Sequence, residues 1–127
     1  MDVKIFEPSI VLTNRVGDGS VISSFCYIEN DVVIGRNTKI KPGCFIFDGA
    51  EIGDNCFIGP GVYMFNDKKP PSGGDHWARV KIYNDVSIGG RCNIAPGVTI
   101  YDHAKIRMGS NVTRDVAPYE YYRGEGE

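Results

Sequence analysis

The segment IENDVVIGRNTKIKPGCFIFDGAEIGDNCFI, residues 28–58, places an isoleucine at every sixth position. The interval extends toward both ends of the chain and resumes after a break between Met64 and Ile82. An α-helix repeats every 3.6 residues and a strand alternates every two, so neither produces this spacing over such a length. A fixed period of six with an aliphatic anchor is typical of a parallel β-helix solenoid. The anchors are Ile10, Val16, Ile22, Ile28, Ile34, Ile40, Ile46, Ile52, Ile58, Met64, Ile82, Ile88, Ile94, Ile100, Ile106 and Val112.

The position three residues after each anchor predicts a corner of the coil. Gly, Asn and Asp tolerate positive φ, and they fill most of these positions. Three six-residue units would close a triangular coil, coils would stack at ~4.8 Å, and anchors eighteen apart would lie above one another. Phe25, Arg91 and His103 are exceptions at this position, and we interpret His103 as a structural corner residue. The others are Gly19, Asp31, Asn37, Gly43, Gly49, Asn55, Gly61, Asp67, Asp85, Gly97, Gly109 and Asp115.

Each of the four cysteines lies two residues before an anchor, at positions otherwise held by small side chains. Cys26, Cys44, Cys56 and Cys92 are therefore predicted to be free thiols that fill inward corners as small hydrophobic groups. A disulfide or a catalytic thiol is the less favoured alternative. There is no C-x-x-C spacing for zinc.

Length and charge restrict the function classes. The 127 residues suit one domain, 1–127, and the net charge of −2 without a basic stripe argues against nucleic acid. No apolar run reaches the roughly twenty residues of a membrane helix, and the first residues lack the basic and apolar regions of a signal peptide. We expect a cytoplasmic protein that does not contact a membrane.

The break in the period predicts a loop at about residues 65–81, outside the solenoid. It contains Pro70-Pro71 and Gly73-Gly74, which cannot continue a strand ladder. Long loops in compact domains are usually functional, and this loop carries His76 and the single tryptophan, Trp77. We favour a binding or catalytic loop over a neutral surface insertion.

Aromatic residues flank the anchors at coil spacing, as two rows on one outer face. Tyr27, Phe45 and Tyr63 form one row, and Phe47 and Phe65 form the other. An exposed aromatic face of this size is unusual for a soluble monomer. The favoured interpretation is burial against other copies in a homotrimer, and the alternative is a ligand platform.

The repeat units Ile34-Gly35-Arg36-Asn37-Thr38-Lys39, Ile52-Gly53-Asp54-Asn55-Cys56-Phe57 and Ile88-Gly89-Gly90-Arg91-Cys92-Asn93 resemble those of the hexapeptide-repeat acyltransferases. Parallel crossovers are generally right-handed, so the hand is implied by the resemblance alone. The resemblance implies an all-β, left-handed parallel β-helix with one protruding loop. It extends to about Pro118, and a shared fold does not fix the reaction.

A longer string resembles the members that N-acetylate nucleotide-linked amino sugars. It comprises Val62-Tyr63-Met64-Phe65-Asn66-Asp67-Lys68-Lys69-Pro70-Pro71-Ser72, Val86-Ser87-Ile88-Gly89 and residues 93–100. The resemblance implies that Asn66 orients the acceptor beside the thioester and that Asp67 is its acidic neighbour. It also implies that Asn93, Ala95, Gly109 and Ser110 line the pantetheine groove, and that Arg114 lies near the phosphates of coenzyme A.

The function implied is an acetyl-CoA-dependent N-acetyltransferase acting on a nucleotide-diphosphate-linked amino sugar. Acetyl-CoA is the expected co-substrate, and no metal is expected. Direct transfer in a ternary complex could draw ~7–11 kcal/mol of barrier reduction from proximity. One rival is an O-acetyltransferase of the same fold, in which His76 takes a proton from a hydroxyl acceptor. The other rival is a non-catalytic solenoid scaffold.

Overall fold

The computed structural model describes residues 2–124 and is a solenoid of two-residue parallel strands. In the regular coils each strand ends at an inward aliphatic residue, and corners of four residues separate the strands. Short strands follow from the six-residue unit, because two extended residues and a corner exhaust it. Within the described residues, no helix is long and apolar enough to cross a membrane.

The strands stack into three parallel sheets, one for each face of the coil. Sheet A has seven strands, sheet B has six and sheet C has four. Sheet A contains β1 (Lys4–Ile5), β3 (Val21–Ile22), β6 (Lys39–Ile40), β9 (Phe57–Ile58), β12 (Ser87–Ile88), β15 (Lys105–Ile106) and β17 (Tyr121–Tyr122). Sheet B contains β2 (Ile10–Val11), β4 (Tyr27–Ile28), β7 (Phe45–Ile46), β10 (Tyr63–Met64), β13 (Asn93–Ile94) and β16 (Asn111–Val112). Sheet C contains β5 (Val33–Ile34), β8 (Glu51–Ile52), β11 (Lys81–Ile82) and β14 (Thr99–Ile100).

The anchors from Ile22 to Val112 point inward and are almost completely buried. Burying an isoleucine side chain contributes about 1.5–3 kcal/mol, so the columns of anchors form the core of the solenoid. The prediction for Ile10 is wrong. Ile10 is 55% exposed, because Val11 pairs with the anchor Ile28 and occupies the inward position in its place.

The eighteen-residue stacking interval holds in the regular coils and changes at three places. Val11 pairs with Ile28 at seventeen residues, and Ile106 pairs with Tyr122 at sixteen. Across the loop, Met64 pairs with Ile94 at thirty. The step from Met64 to Ile82 is eighteen positions where a regular step is six, so the loop adds twelve residues. Twelve is two whole units, and the period therefore resumes in phase.

The corner position has positive φ at its glycines and asparagines and also at the three exceptions, Phe25, Arg91 and His103. The expected positive φ is absent at Asp31, Asp67 and Asp115. His103 stacks on Tyr119 with ring centroids 4.6 Å apart and faces Asp85 at 3.6 Å. These contacts agree with a structural role for His103.

The four cysteines are free and buried, as predicted. Burial raises the pKa of Cys56 to about 11 and also raises the pKa of Cys92. Cys26 and Cys44 are neighbours on successive coils. The Cys26 thiol donates to the carbonyl of Lys41 at 3.3 Å, and the Cys44 thiol donates to the carbonyl of Gly59 at 3.1 Å. The interaction between the two thiols lowers the pKa of Cys26 to about 7 and raises the pKa of Cys44.

Candidate active site

The loop is an ordered hairpin, narrower than the predicted 65–81. Phe65 still belongs to the ladder, because its N–H donates to the carbonyl of Ile94 at 3.0 Å. The hairpin closes where the N–H of Ala78 donates to the carbonyl of Asn66 at 2.7 Å and the N–H of Lys68 donates to the carbonyl of His76 at 3.1 Å. The two prolines and two glycines lie in the turn beyond these bonds.

The carboxylate of Asp67 organises the turn. Its Oδ1 accepts a hydrogen bond from the N–H of Lys69 at 3.0 Å, and its Oδ2 accepts one from the N–H of Ser72 at 2.9 Å. The Ser72 backbone bond is the main cause of the lowered pKa of Asp67, and the nearby side chain of Trp77 lowers this pKa further. These donors stabilise the ionised carboxylate, so Asp67 has a clear structural role in the loop.

The base of the hairpin is attached to the solenoid. Asn66 Nδ2 donates to the backbone carbonyl of Asp48 on the preceding coil at 3.0 Å. Arg79 donates to the carbonyl of Gly49 at 3.2 Å and lies 3.4 Å from the carboxylate of Asp31. The loop therefore has a fixed position on the coils before it.

The hairpin and sheet B enclose a groove of about 480 Å³, which we call the main groove. The loop supplies one wall, the later coils of sheet B supply the floor, and two stacked aromatic rings close one end. Phe47 and Phe65 are these rings, with centroids 6.0 Å apart. The lining consists of Phe47, Phe65, Asn66, Asp67, Pro70, Asn93, Ala95, Pro96, Asn111, Val112 and Thr113.

Two amide side chains are paired on the groove floor. Asn93 and Asn111 are partners in β13 and β16, and Asn93 Nδ2 donates to Asn111 Oδ1 at 2.9 Å. One amide oxygen and one amide nitrogen of the pair have no hydrogen-bond partner within residues 2–124, so they can bind a ligand. Such a pair matches the donor and acceptor of an amide-containing ligand.

Four of the eight predicted site residues meet in the main groove, namely Asn66, Asp67, Asn93 and Ala95. Gly109 and Ser110 lie instead in a separate cavity of about 310 Å³, which we call the side cavity. That cavity also contains Arg107 and Arg123, and it meets the main groove at Asn111, which lines both. The Ser110 hydroxyl donates to the carbonyl of Arg107 at 2.6 Å.

The other two predicted residues do not line the main groove. The His76 side chain is exposed on the loop. Arg114 forms a salt bridge of 2.8 Å with Glu120, and its guanidinium lies 4.8 Å from the ring centre of Tyr122. The hydrogen bond from Arg114 is the main cause of the lowered pKa of Glu120.

Asn111 and Thr113 complete the groove floor and were not among the residues predicted from the sequence. Both could have been found from the repeat, because each follows a predicted residue by eighteen positions. Asn111 stacks on Asn93, and Thr113 occupies the position above Ala95. Among the described residues, no group of three or more His, Cys, Asp or Glu side chains could hold a metal ion.

Two family descriptions match the repeats. Residues 15–48 match "Bacterial transferase hexapeptide (six repeats)", and residues 79–114 match "Hexapeptide repeat of succinyl-transferase". A comparison with curated proteins finds no match.

Solved structures share the fold over most of the chain. A maltose O-acetyltransferase from Clostridium difficile is 26% identical with a TM-score of 0.68, covering 92% of this chain and 59% of its own. A hexapeptide-repeat acetyltransferase from Vibrio cholerae complexed with acetyl-coenzyme A is 26% identical with a TM-score of 0.64, covering 89% and 61%. A perosamine N-acetyltransferase variant from Caulobacter crescentus, in complex with CoA and GDP-perosamine, has the same fold at 23% identity and a TM-score of 0.71, covering 90% and 50%.

The chain thus spans less than two thirds of the length of these three structures. Three observations agree with one another. The repeat matches lie in both halves of the chain, the short strands form a parallel solenoid, and solved structures share this fold. The chain therefore carries the hexapeptide repeat of bacterial transferases over residues 15–48 and 79–114, and it shares the fold of solved hexapeptide-repeat acetyltransferases.

Proposed function

We propose that this protein transfers an acetyl group from acetyl-CoA to the amino group of a nucleotide-diphosphate-linked amino sugar. The hexapeptide repeats and the fold shared with solved acetyltransferases support acyl transfer. The acetyl-CoA bound to the Vibrio cholerae structure supports the donor, and the GDP-perosamine bound to the Caulobacter crescentus structure suggests the acceptor class.

The composition of the main groove supports an amine acceptor. Of the residues that line it, only Asp67 is titratable, and its carboxylate is occupied by backbone donors. A hydroxyl acceptor needs a general base within hydrogen-bond reach, whereas a neutral amine already carries its nucleophilic lone pair. The absence of a free base from this lining is the observation that carries the proposal.

Asn66 would orient the acceptor. Its Nδ2 is fixed on the Asp48 carbonyl, and its Oδ1 accepts no hydrogen bond within residues 2–124. An amine N–H of the acceptor would donate to this oxygen, which would aim the lone pair at the thioester carbon. The C–N bond forms, the C–S bond breaks, and the thiolate leaves as the new ammonium loses a proton to it. Positioning supplies most of the rate enhancement.

Coenzyme A would lie along the floor of the main groove. The amides of Asn93 and Asn111 would pair with the amides of the pantetheine arm, and Ala95 leaves room beside it. Past Asn111 the side cavity is lined by Arg107 and Arg123, and arginine is a residue that recognises phosphate oxygens well. Gly109 and Ser110 belong to this phosphate end.

The aromatic face supports a homotrimer. Phe45 and Tyr63 stack with ring centroids 4.8 Å apart, and Tyr27 lies against Phe45 at 5.9 Å. Beside these rings is an apolar groove of about 690 Å³ that includes the exposed Ile10. Burying this surface is worth about 25 cal/mol per Å² of apolar area. A cyclic assembly would cover it.

The direct test measures free coenzyme A released from acetyl-CoA in the presence of a panel of nucleotide-linked sugars. Release that requires an amino sugar supports the proposal, and mass spectrometry of the product should show one added acetyl group. Matched nucleotide sugars carrying a hydroxyl in place of the amine are the control. If no sugar causes release and acetyl-CoA does not bind, the non-catalytic scaffold is the better interpretation.

An O-acetyltransferase is the second candidate, favoured by the 26% identity to a maltose O-acetyltransferase. His76 would then be the base, and the loop would have to bring its exposed imidazole to the groove. Acetylation of neutral saccharides, lost in His76→Ala, would establish this alternative.

A further inference from the structure

The loop has a second groove on the side away from the main groove. It has a volume of about 280 Å³ and lies between the loop strand that returns to the solenoid and two corners of earlier coils. Its lining is Asp31, Asp48, Gly49, Trp77, Ala78 and Arg79. None of these residues lines the main groove, so acyl transfer as proposed leaves this second groove without a role.

Trp77 gives the second groove a flat apolar surface. Trp77 is 51% exposed. Its position is nevertheless restricted, because the backbone of Trp77 forms a bridge with Asp67 and its side chain lies close enough to the Asp67 carboxylate to lower the pKa of that group. An exposed but fixed aromatic ring loses little conformational entropy when a ligand covers it.

Asp48 gives the groove a fixed acceptor. Its Oδ1 accepts from the N–H of Asp31 at 2.8 Å, its own N–H donates to Glu29 Oε1 at 2.9 Å, and its carbonyl accepts from Asn66. These three bonds fix the residue, while Asp48 Oδ2 has no hydrogen-bond partner among residues 2–124. One carboxylate oxygen is therefore available to a ligand.

Arg79 gives the groove a donor at the opposite edge. Its guanidinium is held by Gly49, Asp31 and Glu51, the last at 3.8 Å. A second cation, Arg15, contacts Asp31 at 2.7 Å, and its hydrogen bond is the main cause of the lowered pKa of Asp31. Asp31 is thus compensated by two arginines, and the carboxylate of Asp48 is the less compensated charge.

We propose that the second groove binds a single saccharide ring. The apolar face of the sugar would stack on Trp77, its hydroxyl groups would donate to Asp48 Oδ2, and Arg79 would donate to a ring hydroxyl. The groove volume of about 280 Å³ lies just below the range of about 300–1,000 Å³ that is usual for drug-sized ligands. The groove is therefore of a size that suits one ring. The choice of a sugar among small polar rings rests on the proposed function, which supplies saccharides as substrates.

The charge of the groove predicts which sugars bind. Asp48 repels anions and attracts donors, so a neutral hexose and a hexosamine should bind and a uronic acid should bind more weakly. A single ring on an open surface should bind with a dissociation constant on the order of a millimolar.

Trp77 is the only tryptophan of the chain, so its fluorescence reports on this groove directly. Titration with glucose or glucosamine should shift or quench the emission to saturation, and glucuronate should do so at higher concentration. Asp48→Asn should weaken binding at least about ten-fold, since a charge-assisted hydrogen bond is lost. Asp75→Asn removes a carboxylate from the same loop outside the groove, and it should bind sugar like the unmodified protein.

An unchanged emission at sugar concentrations far above the millimolar range would overturn the proposal, as would equal binding by Asp48→Asn and Asp75→Asn. Saturation-transfer NMR on Trp77→Ala gives a second readout, in which the sugar ring protons should lose their signal. Far-ultraviolet circular dichroism establishes that each variant is folded. Because these measurements need no acetyl-CoA, sugar binding without acetyl transfer would refute the proposed function alone, and acetyl transfer without sugar binding here would refute this inference alone.

Discussion

The side chain of Asn66 donates a 3.0 Å hydrogen bond to the backbone carbonyl of Asp48, one coil earlier. The bond ties the first residue of the hairpin to the solenoid and leaves Asn66 Oδ1 without a hydrogen-bond partner among residues 2–124. It also links the two grooves, because Asn66 lines the main groove and Asp48 lines the second one. The loop is therefore a shared wall.

Replacing Asn66 by alanine should reduce kcat/KM by about 10²–10³-fold, the usual cost of losing one oriented polar contact in an active site. The dissociation constant of acetyl-CoA, measured by calorimetry, should change little, because Asn93 and Asn111 remain. His76→Ala is the matched loop variant and should keep most of the activity. A 10²-fold loss in His76→Ala with Asn66→Ala near the unmodified rate would instead indicate a general base and a hydroxyl acceptor.

The order of the loop should depend on the ionisation of Asp67. Its pKa lies below the ordinary value of 3.8, so its hydrogen bonds stabilise the loop above pH 3.8 and are lost as pH falls through the lower folded-state pKa. Trp77 emission should therefore change in that acidic range. The change should be absent in Asp67→Asn and present in Asp75→Asn. An identical acid transition in all three proteins would contradict this role for Asp67.

Light scattering should give the mass of a trimer at micromolar concentration. Phe45→Arg should shift the assembly toward monomer, since it places a charge within the stacked aromatic face. Tyr101→Arg is the control, because Tyr101 stacks with Tyr83 directly after two strands of sheet C, whereas Phe45 belongs to sheet B. A monomeric unmodified protein would remove the interface argument.

Native protein should show one slowly reacting thiol, Cys26, and three protected thiols. The lowered pKa of Cys26, to about 7, raises its thiolate fraction at neutral pH, and it borders the apolar groove beside Tyr27. Cys56 and Cys92 should react only after unfolding, because burial raises the pKa of both. Mass spectrometry after brief labelling identifies the site, and Cys26→Ala should abolish the slow phase. Early labelling of Cys92 would refute the assignment.

Gly53→Ala should destabilise the solenoid by about 1–3 kcal/mol, as overpacking does elsewhere. A Cβ at this position would lie 2.6 Å from the Tyr83 carbonyl of the next coil, so backbone would have to move. Gly73→Ala meets no atom within 4 Å and should cost only the strain of its φ of +68°, about 1 kcal/mol. Urea unfolding of the two variants compares these costs, and equal midpoints would contradict close packing between coils at Gly53.

Much of the site could be predicted from the chain alone. The break in the period identified the loop, and the string around Asn66 and Asp67 identified two residues of the main groove. The sequence was a poorer guide to the location of four other residues, because their positions depend on which coil faces the loop. These residues are Gly109, Ser110, Arg114 and His76. A resemblance aligns residues along the chain. It does not show that a side chain such as Arg114 already forms an ion pair with a neighbour such as Glu120.

The sequence by itself determined the parallel solenoid, the inward columns and the place where the loop leaves it. Each of these follows from interactions inside one six-residue unit, which the period records directly. Tertiary structure decided the register at both ends, where Val11 replaces Ile10 and Tyr122 stacks on Ile106 at a shorter interval. It also decided that the loop folds back as a hairpin and separates two grooves, because the bonds from Asn66 and Arg79 join residues of different coils. Contacts between coils depend on stacking in space, and the sequence period alone does not encode them.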